Sequence, residues 1–263
     1  MSHKKNFFRK RGTQNWEIQH FTLDSSFDVS PQTLQPNGVS FKADGTKMFV
    51  SSYGVAVFYE YDLSPAWDIT SAVYNQTGSI ISNSQDIFFK ADGTKMYGVS
   101  LNTDRVYEYN LSTAWDVTTI SLVTNKLITA NPTGVYVSPD GTKMYVSNET
   151  TGLVYEYDLS TPWSVATATL NQTFDYATGI GTLAQGLTFK TDGTKMYINT
   201  DVNNKTQQYD LSTAWDISSC SLVFNDWLDL TNTNQVGGFY FKDDGAELYT
   251  ANNDLNIIQK FVI

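Results

Sequence analysis

One structural unit recurs five times along the 263 residues of the chain. Each copy contains an Asp-Gly dipeptide, and successive dipeptides are 48, 48, 52 and 52 residues apart. They are Asp44-Gly45, Asp92-Gly93, Asp140-Gly141, Asp192-Gly193 and Asp244-Gly245. A fixed period of this size is typical of stacked units that cannot bury their apolar faces alone. We therefore expect a basic arm over residues 1–15 and a single repeat domain over residues 16–263.

Each repeat has the pattern of four short strands, which we call A to D. Strand A is an apolar run such as Val39–Phe41, and the Asp-Gly pair that follows it is a strong signal for a tight turn. Strand B begins at a lysine in four repeats and at Glu247 in the fifth, and strand C has the alternating Val-Tyr-Glu-Tyr pattern seen at 106–109. Strand D follows a nearly constant connection that contains tryptophan, and we expect it at 118–123 in the second repeat.

Paired charges set the expected register of strands B and C. The first residue of strand B and the acidic residue of strand C are 13 apart, as in Lys47 and Glu60. In the fifth repeat the two charges are exchanged together, to Glu247 and Lys260. Like charges are unfavourable across a strand pair. The exchange therefore predicts directly opposed, exposed ion pairs on neighbouring strands.

Four antiparallel strands repeated five times predict an all-β fold, a five-bladed β-propeller of four-stranded antiparallel blades. The last repeat ends after its strand C, so the N-terminal segment must supply the missing strand D and close the ring. Because Phe27-Asp28-Val29 resembles Trp115-Asp116-Val117, we assign this strand to 27–34. That assignment leaves Ile18–Leu23 as a duplicate strand without an obvious position.

The repeat resembles a known group of propellers. Its Phe-Lys-x-Asp-Gly-Thr-Lys-Met-Tyr and Val-Tyr-Glu-Tyr-Asp-Leu-Ser-Thr-Ala-Trp-Asp segments look like those of propeller proteins encoded by bacteriophages and marine viral metagenomes. The resemblance covers 16–263 and implies a virion or phage-associated setting. It carries no catalytic residues to this chain. If the protein is viral, we expect it in the virion or the host cytoplasm.

Charge and composition exclude several functions. The net charge is −10, and five of the 17 basic residues lie within the first 11 positions, so the remaining body is more acidic still. Such a body repels phosphate backbones, and we expect no nucleic acid there. No apolar run is long enough to span a membrane, and the N-terminal arm lacks the apolar core of a secretory signal. With two histidines and one cysteine, we expect no metal and no cofactor.

The same residues argue against catalysis. Nucleophilic catalysis needs a base held by a third group, and neither His3 nor His20 is in a favourable place for that role. A propeller glycosidase needs two carboxylates around its channel. Only Asp86 occupies the position where strand A faces the channel, and the other repeats have glycine there. We therefore expect a protein that is not an enzyme, with a channel glycosidase as the remote alternative.

Loop variation indicates where binding occurs. The A–B and C–D connections are nearly constant, whereas the B–C and D–A connections on the opposite face differ in length and type. Variable loops on a rigid scaffold commonly bind ligands, although neutral drift would produce the same contrast. The candidate ligand-binding residues on this face are Asn37, Gln85, Thr133 and Gln185 at the channel rim, with Tyr53, Tyr176 and Trp227 as stacking rings.

Two functional interpretations remain open at this level. The first is a binding module that recognises a glycan, such as one on a cell surface, through the variable face. The second is a structural scaffold that contacts another virion protein and has no small-molecule ligand. Trp227 aligns with Leu127, so its ring serves either core packing or stacking.

Overall fold

A computed structural model describes residues 15–80, 84–128, 131–178, 183–200, 205–226 and 236–263. The described residues form five antiparallel sheets of four strands each, arranged as the five blades of a propeller. The predicted fold class is therefore confirmed. No helix in these ranges is long and apolar enough to cross a membrane.

The strands are numbered β1 to β20 in chain order. Blade 1 contains β2 (Pro36–Phe41), β3 (Lys47–Ser52), β4 (Val57–Asp62) and β5 (Val73–Ser79). Blade 2 contains β6 (Asp86–Phe89), β7 (Lys95–Ser100), β8 (Arg105–Leu111) and β9 (Ile120–Leu127). Blade 3 contains β10 (Pro132–Val137), β11 (Lys143–Asn148), β12 (Leu153–Leu159) and β13 (Ala168–Asp175). Blade 4 contains β14 (Ala184–Phe189), β15 (Lys195–Thr200), β16 (Lys205–Leu211) and β17 (Cys220–Asp226).

Blade 5 joins the two ends of the domain. It contains β18 (Val236–Phe241), β19 (Glu247–Asn252), β20 (Ile257–Val262) and, as its outermost strand, β1 (Thr22–Asp28). The N-terminal segment therefore supplies strand D, as predicted. The assignment of that strand to 27–34 is wrong, however, because β1 begins at Thr22 and has left the sheet after Asp28.

The error in the N-terminal alignment has a simple structural cause. Trp16, and not Phe27, occupies the position of the repeated tryptophan. Its φ is 71°, close to the 64–66° of the other four repeat tryptophans, and its N–H donates to the carbonyl of Gly245 at 3.0 Å. The residues from 18 to 20 then form a short 3-10 helix before β1. There is consequently no duplicate strand to place.

The constant face is built by contact between each tryptophan and the glycine of its A–B turn. In blade 1, Gly45 has φ +73°, and a Cβ there would lie 2.3 Å from the Trp67 ring. The Trp67 N–H also donates to the Gly45 carbonyl at 3.0 Å. Only glycine meets both demands, since it alone adopts this backbone and leaves room for the ring. The constancy of these two connections therefore reflects construction of the fold.

Strand D begins two residues later than predicted. The residues that follow each tryptophan form one turn of 3-10 helix, as at Val117–Thr119, Val165–Thr167 and Ile217–Ser219, with the equivalent turn of blade 1 at Ile69–Ser71. In blade 2 the Asp116 carboxylate accepts a hydrogen bond from the Thr118 N–H at 3.0 Å. This cap holds the turn and delays the start of β9 to Ile120.

The ion pairs join neighbouring strands but are neither directly opposed nor exposed. Lys143 lies opposite Asp158, and Glu156 lies opposite Tyr145. Lys143 still reaches Glu156 diagonally, with 2.5 Å between Nζ and Oε1. The Glu156 side chain is fully buried, whereas Lys143 is partly exposed. The exchanged pair of blade 5, Glu247 and Lys260, is likewise an ion pair, at 3.0 Å.

The apolar core lies between blades. At the interface of blades 3 and 4, the ring of Tyr145 packs 4.4 Å from that of Phe189 and 6.4 Å from that of Trp215. The Tyr145 hydroxyl donates to the Trp215 carbonyl at 2.6 Å. The same bond closes the ring, since the Tyr197 hydroxyl donates to the Trp16 carbonyl at 2.7 Å. Each blade is therefore stabilised by its successor.

Candidate functional site

The variable face carries a polar cavity at the mouth of the central channel. Its volume is about 280 Å³. The walls come from the ends of strand A and from the B–C turns of several blades. The lining residues are Gln35, Asn37, Tyr53, Gln85, Leu101, Glu149, Gln185, Gly237 and Asn253. We call this cavity the rim site.

Amides from neighbouring blades form a directed chain across the rim site. The Asn253 amide N–H donates to the side-chain oxygen of Asn37 at 3.0 Å. The Asn37 amide in turn donates to the side-chain oxygen of Gln85. The Gln85 oxygen is therefore taken up by Asn37, which leaves its amide nitrogen as the group available to donate; Gln85 lines the cavity, and the residue is only 4% exposed. The chain therefore orients Gln85 as a donor toward a ligand.

Glu149 supplies an acceptor to the same cavity. Its carboxylate makes no hydrogen bond within the described part of the chain, although its backbone N–H and carbonyl are bonded to Asn131 and Leu183. Burial raises the pKa of the Glu149 carboxyl. A half-buried carboxylate beside an amide donor is suited to a pair of ligand hydroxyl groups, each of which can donate to it.

Glu149 was not identified from the sequence, although a signal was present. Tyr53, Leu101, Glu149 and Asn253 occupy the same position of the B–C turn in four repeats, and all four line the cavity. Tyr53 was predicted from this position because it is aromatic. Applying that prediction to the equivalent position of every repeat would have identified Leu101, Glu149 and Asn253 as well.

The seven predicted site residues have different environments. Four of them, Asn37, Tyr53, Gln85 and Gln185, line the rim site together. Thr133 is buried, and its hydroxyl lies 3.2 Å from that of Ser147. Tyr176 is only 1% exposed and presents no ring face to solvent. Trp227 lies outside the described residues.

The positions of Tyr176 and Gly237 have clear physical reasons. The Tyr176 hydroxyl donates to the Asn148 carbonyl at 2.7 Å and accepts from the Ala184 N–H at 3.0 Å, so it holds a loop within the core. The expectation that Tyr176 offers a stacking face is therefore corrected. Gly237 interrupts the ring of amides because a Cβ there would lie 1.9 Å from the Asn37 carbonyl oxygen.

Below the rim site, the carboxylate of Asp86 is buried close to Gly38 and Gly238 of neighbouring strands A. Asp86 accepts from the N–H groups of Ile87 at 2.9 Å and Val135 at 3.2 Å. A Cβ on Gly38 or Gly238 would lie 2.8 or 2.9 Å from Asp86 Oδ1. Glycine is therefore required around this side chain. Burial raises the pKa of Asp86 to about 7, and the two N–H donors only partly oppose that effect.

Within the described ranges, no three His, Cys, Asp or Glu side chains come together in a way that would hold a metal ion. The expectation of no cofactor and no metal stays a prediction. The chemistry available at the rim site is hydrogen bonding by amides and one carboxylate, with a partly exposed tyrosine ring beside them.

No protein-family model matches the chain, and no curated protein matches it in sequence. Solved structures match in fold. The β-propeller domain of Cps50 (Swd1) from Myceliophteria thermophila aligns with a TM-score of 0.54 at 9% identity, over 92% of this chain and 99% of that one. A functionally unknown protein from Desulfotomaculum acetoxidans aligns with a TM-score of 0.51 at 14% identity, over 84% of this chain.

The alignments do not extend to activity. A periplasmic gluconolactonase from Pseudomonas aeruginosa aligns with a TM-score of 0.52 at 19% identity, over 86% of this chain and 66% of that one. The chain spans only 63% of the Desulfotomaculum protein. Identities this low show a shared fold alone, since one propeller fold serves many unrelated functions. The class of protein defined here is a five-bladed β-propeller with a polar cavity on its variable face.

Proposed function

We propose that the protein is a non-enzymatic binding module whose rim site recognises a glycan. The observation that carries the proposal is that one cavity is lined by the Gln85 amide, whose oxygen is held by Asn37, and by the Glu149 carboxylate, which has no hydrogen-bond partner among the described residues. Sugar hydroxyls both donate and accept, so a ligand needs both kinds of group within reach. Tyr53, which is 39% exposed, adds a ring beside them on which a sugar can stack.

The charge of the site favours a neutral or weakly cationic glycan. Glu149 is the sole Asp, Glu, Lys, Arg or His among the described residues that line the rim site. The protein as a whole carries a net charge of −10. Sialylated and sulfated glycans would be repelled by this combination. Because the cavity is small and polar, we expect weak binding per site that multivalent display strengthens.

We also propose the phage or viral setting that the repeat sequence resembles. In that setting the propeller would present the rim site toward a cell-surface glycan. The contrast between a constant face and a variable one supports this orientation, since the constant connections are occupied by contacts such as that of Gly45 with Trp67.

The experiment is a glycan array followed by titration calorimetry with the best neutral glycan. We expect Glu149→Gln to weaken binding by roughly tenfold, since a charged acceptor is replaced by a neutral one. The double variant Gln85→Ala with Gln185→Ala should lose still more. A matched control is Gln19→Ala, because Gln19 is an exposed amide far from the cavity lining.

The choice of control matters because not every residue away from the rim is neutral. Lys143 is unsuitable, since its removal would leave the buried Glu156 without its cation. Unchanged affinity in both rim variants, with unchanged melting temperatures, would remove binding from this cavity. An array without hits, combined with capture of a defined virion protein, would favour the structural scaffold instead.

A further inference from the structure

A second cavity opens on the constant face, on the other side of Asp86. Its volume is about 320 Å³. Three layers of side chains line it from the inside outward. The deepest layer holds Asp86. The middle layer holds the strand A residue two positions after Asp86 and its equivalents in the other blades. The outer layer holds the residue that directly precedes each Asp-Gly pair. We call this cavity the channel pocket.

The middle layer is rich in aromatic rings. Phe88, Tyr136 and Tyr240 are each partly exposed there, while Ser40 and Thr188 complete the layer with small side chains. The rings of Phe88 and Tyr136 have centroids 5.0 Å apart. Within the described ranges, neither tyrosine hydroxyl has a hydrogen-bond partner. Phe88 and Tyr136 come from adjacent blades, and Tyr240 is separated from them around the ring by the small side chains of Ser40 and Thr188.

Carboxylates occupy both ends of this aromatic layer. Asp86 is at the closed end and is only 6% exposed. Asp243 is at the mouth, where the other repeats have Ala, Ala, Pro and Thr. The Asp243 carboxylate is close enough to raise the pKa of both Tyr136 and Tyr240, whose burial is the larger cause. No Lys, Arg or His is among the described residues that line the pocket.

Such an arrangement leaves a buried negative charge without a cation. Asp86 receives two backbone N–H bonds, and no lysine or arginine in the described ranges pairs with it. An ionised carboxylate in this position is costly unless a positive charge approaches it. Burial accordingly raises the pKa of Asp86 to about 7. A cation seated in the pocket would face Asp86 below it, Asp243 above it and aromatic rings around it.

We propose that the channel pocket binds a small organic cation with an N-methylated ammonium group, held by Tyr136, Tyr240 and Phe88 between the carboxylates of Asp86 and Asp243. Aromatic faces attract such cations through the negative potential of their rings. An inorganic divalent ion would fit poorly, since it requires several oxygen ligands at short distance. The apolar surface of a methylated ammonium group suits the largely apolar and aromatic lining, and the volume of about 320 Å³ is large enough to admit it.

The test uses choline as the probe and 3,3-dimethylbutan-1-ol as its uncharged carbon isostere, both titrated by calorimetry into the full chain. The two molecules have nearly the same shape, so their difference reports the charge. We expect choline to bind at least about tenfold more tightly than the isostere. Tetramethylammonium should compete with choline for the pocket.

Two pairs of variants separate the site from general stability. Tyr240→Leu should weaken choline binding several-fold, whereas Tyr240→Phe keeps the aromatic face and should retain most of the affinity. Asp243→Asn should weaken binding, whereas Asp24→Asn removes an equal charge on the outer strand of blade 5 and should have no effect. Each variant is melted to show that it is folded.

Three results would overturn the proposal. Equal affinity for choline and its isostere would show an apolar pocket without selectivity for charge. Absence of choline binding at tens of millimolar, in a protein whose Tyr240 variants melt normally, would show that the pocket takes no such cation. Choline binding that survives Tyr240→Leu and Asp243→Asn would place the cation elsewhere, for example at Glu149 in the rim site.

Discussion

The carboxylate of Glu156 in blade 3 accepts a hydrogen bond from the backbone N–H of Ile217 in blade 4, at 3.2 Å. Ile217 begins the 3-10 helix that follows the repeat tryptophan. The same relationship joins Glu108 to the N–H of Val165 at 3.0 Å. The acidic residue of strand C therefore connects each of these blades to the next, in addition to pairing with lysine in its own blade.

This role predicts a graded effect of substitutions at Glu156. Asn171 and Gln172 donate to it at 2.9 and 2.8 Å, beside the bonds from Lys143 and Ile217. Glu156→Ala should lower the free energy of unfolding by on the order of 3 kcal/mol, because several buried donors lose their acceptor. Glu156→Gln should cost less, as it keeps an acceptor for the Ile217 N–H. Urea unfolding of both variants measures the difference, and equal losses would contradict the proposed blade connection.

A second prediction uses the tyrosine of strand B. The Tyr145 hydroxyl donates to the Trp215 carbonyl, whereas Phe49 at the same position of blade 1 has no hydroxyl to reach Trp115. Tyr145→Phe should lower the free energy of unfolding by about 1 kcal/mol, and Phe49→Tyr should raise it by up to about the same amount. The check is chemical denaturation of the two variants side by side. A stabilising Tyr145→Phe would show that burying the hydroxyl costs more than its bond returns.

Ring closure predicts a sharp contrast between two truncations. Removing 1–28 takes away Trp16 and β1, which leaves the edge of β20 unpaired and opens the ring. We expect a large fall in melting temperature or a failure to fold. Removing 1–12 takes away none of the described contacts and should leave the melting temperature unchanged. The point variant Trp16→Ala should be intermediate, at a cost of about 3–5 kcal/mol for a buried tryptophan.

The fourth prediction concerns pH and Asp86. Its pKa is about 7 in the folded protein, against 3.8 for an ordinary carboxyl. Between these values the unfolded chain has lost the proton that the folded chain still holds, so this group makes stability fall as pH rises from about 4 to 7. The Asp86→Asn side chain cannot titrate, so this variant does not lose stability for that reason as pH rises. We therefore expect the melting temperature of Asp86→Asn, relative to the unaltered protein, to increase over this range. A constant difference would show that Asp86 titrates normally.

Much of the fold could be predicted because the same sequence pattern occurs in five copies, and comparison of the copies shows which positions are constant. The Asp-Gly turn recurs in all five repeats, and the tryptophan and the charged pair each recur in four, so strand order and blade number follow. The register of strands B and C could not be predicted in the same way. An ion pair between diagonal neighbours, such as Lys143 and Glu156, allows the same exchange of charges as a pair of directly opposed residues. Burial of Glu156 could not be read from its neighbours, since its donors come from another strand and another blade.

Prediction from the repeat pattern was less successful for the N-terminal strand and for part of the rim site. Phe27-Asp28-Val29 resembles the repeat motif through Asp and Val, whereas Trp16-Glu17-Ile18 resembles it through Trp and Ile. Only the latter satisfies the bond to Gly245 and the positive φ at the tryptophan. At the rim, repeat alignment placed the predicted amides correctly at the cavity. It could not show that Tyr176 turns into the core, because loop length differs there between repeats.

Closure by β1 also constrains the order in which the protein can fold. Thr22 and Val262 are joined by a hydrogen bond although they are 240 residues apart in the sequence. Strand D of blade 5 therefore cannot pair with its blade until almost the whole chain has been made. Contacts of such long range make folding slow. During synthesis on the ribosome, blades 1 to 4 can assemble by local hairpins while the Trp16 segment remains unpaired. Final closure then sets the time at which the ring, and with it both cavities, first exists.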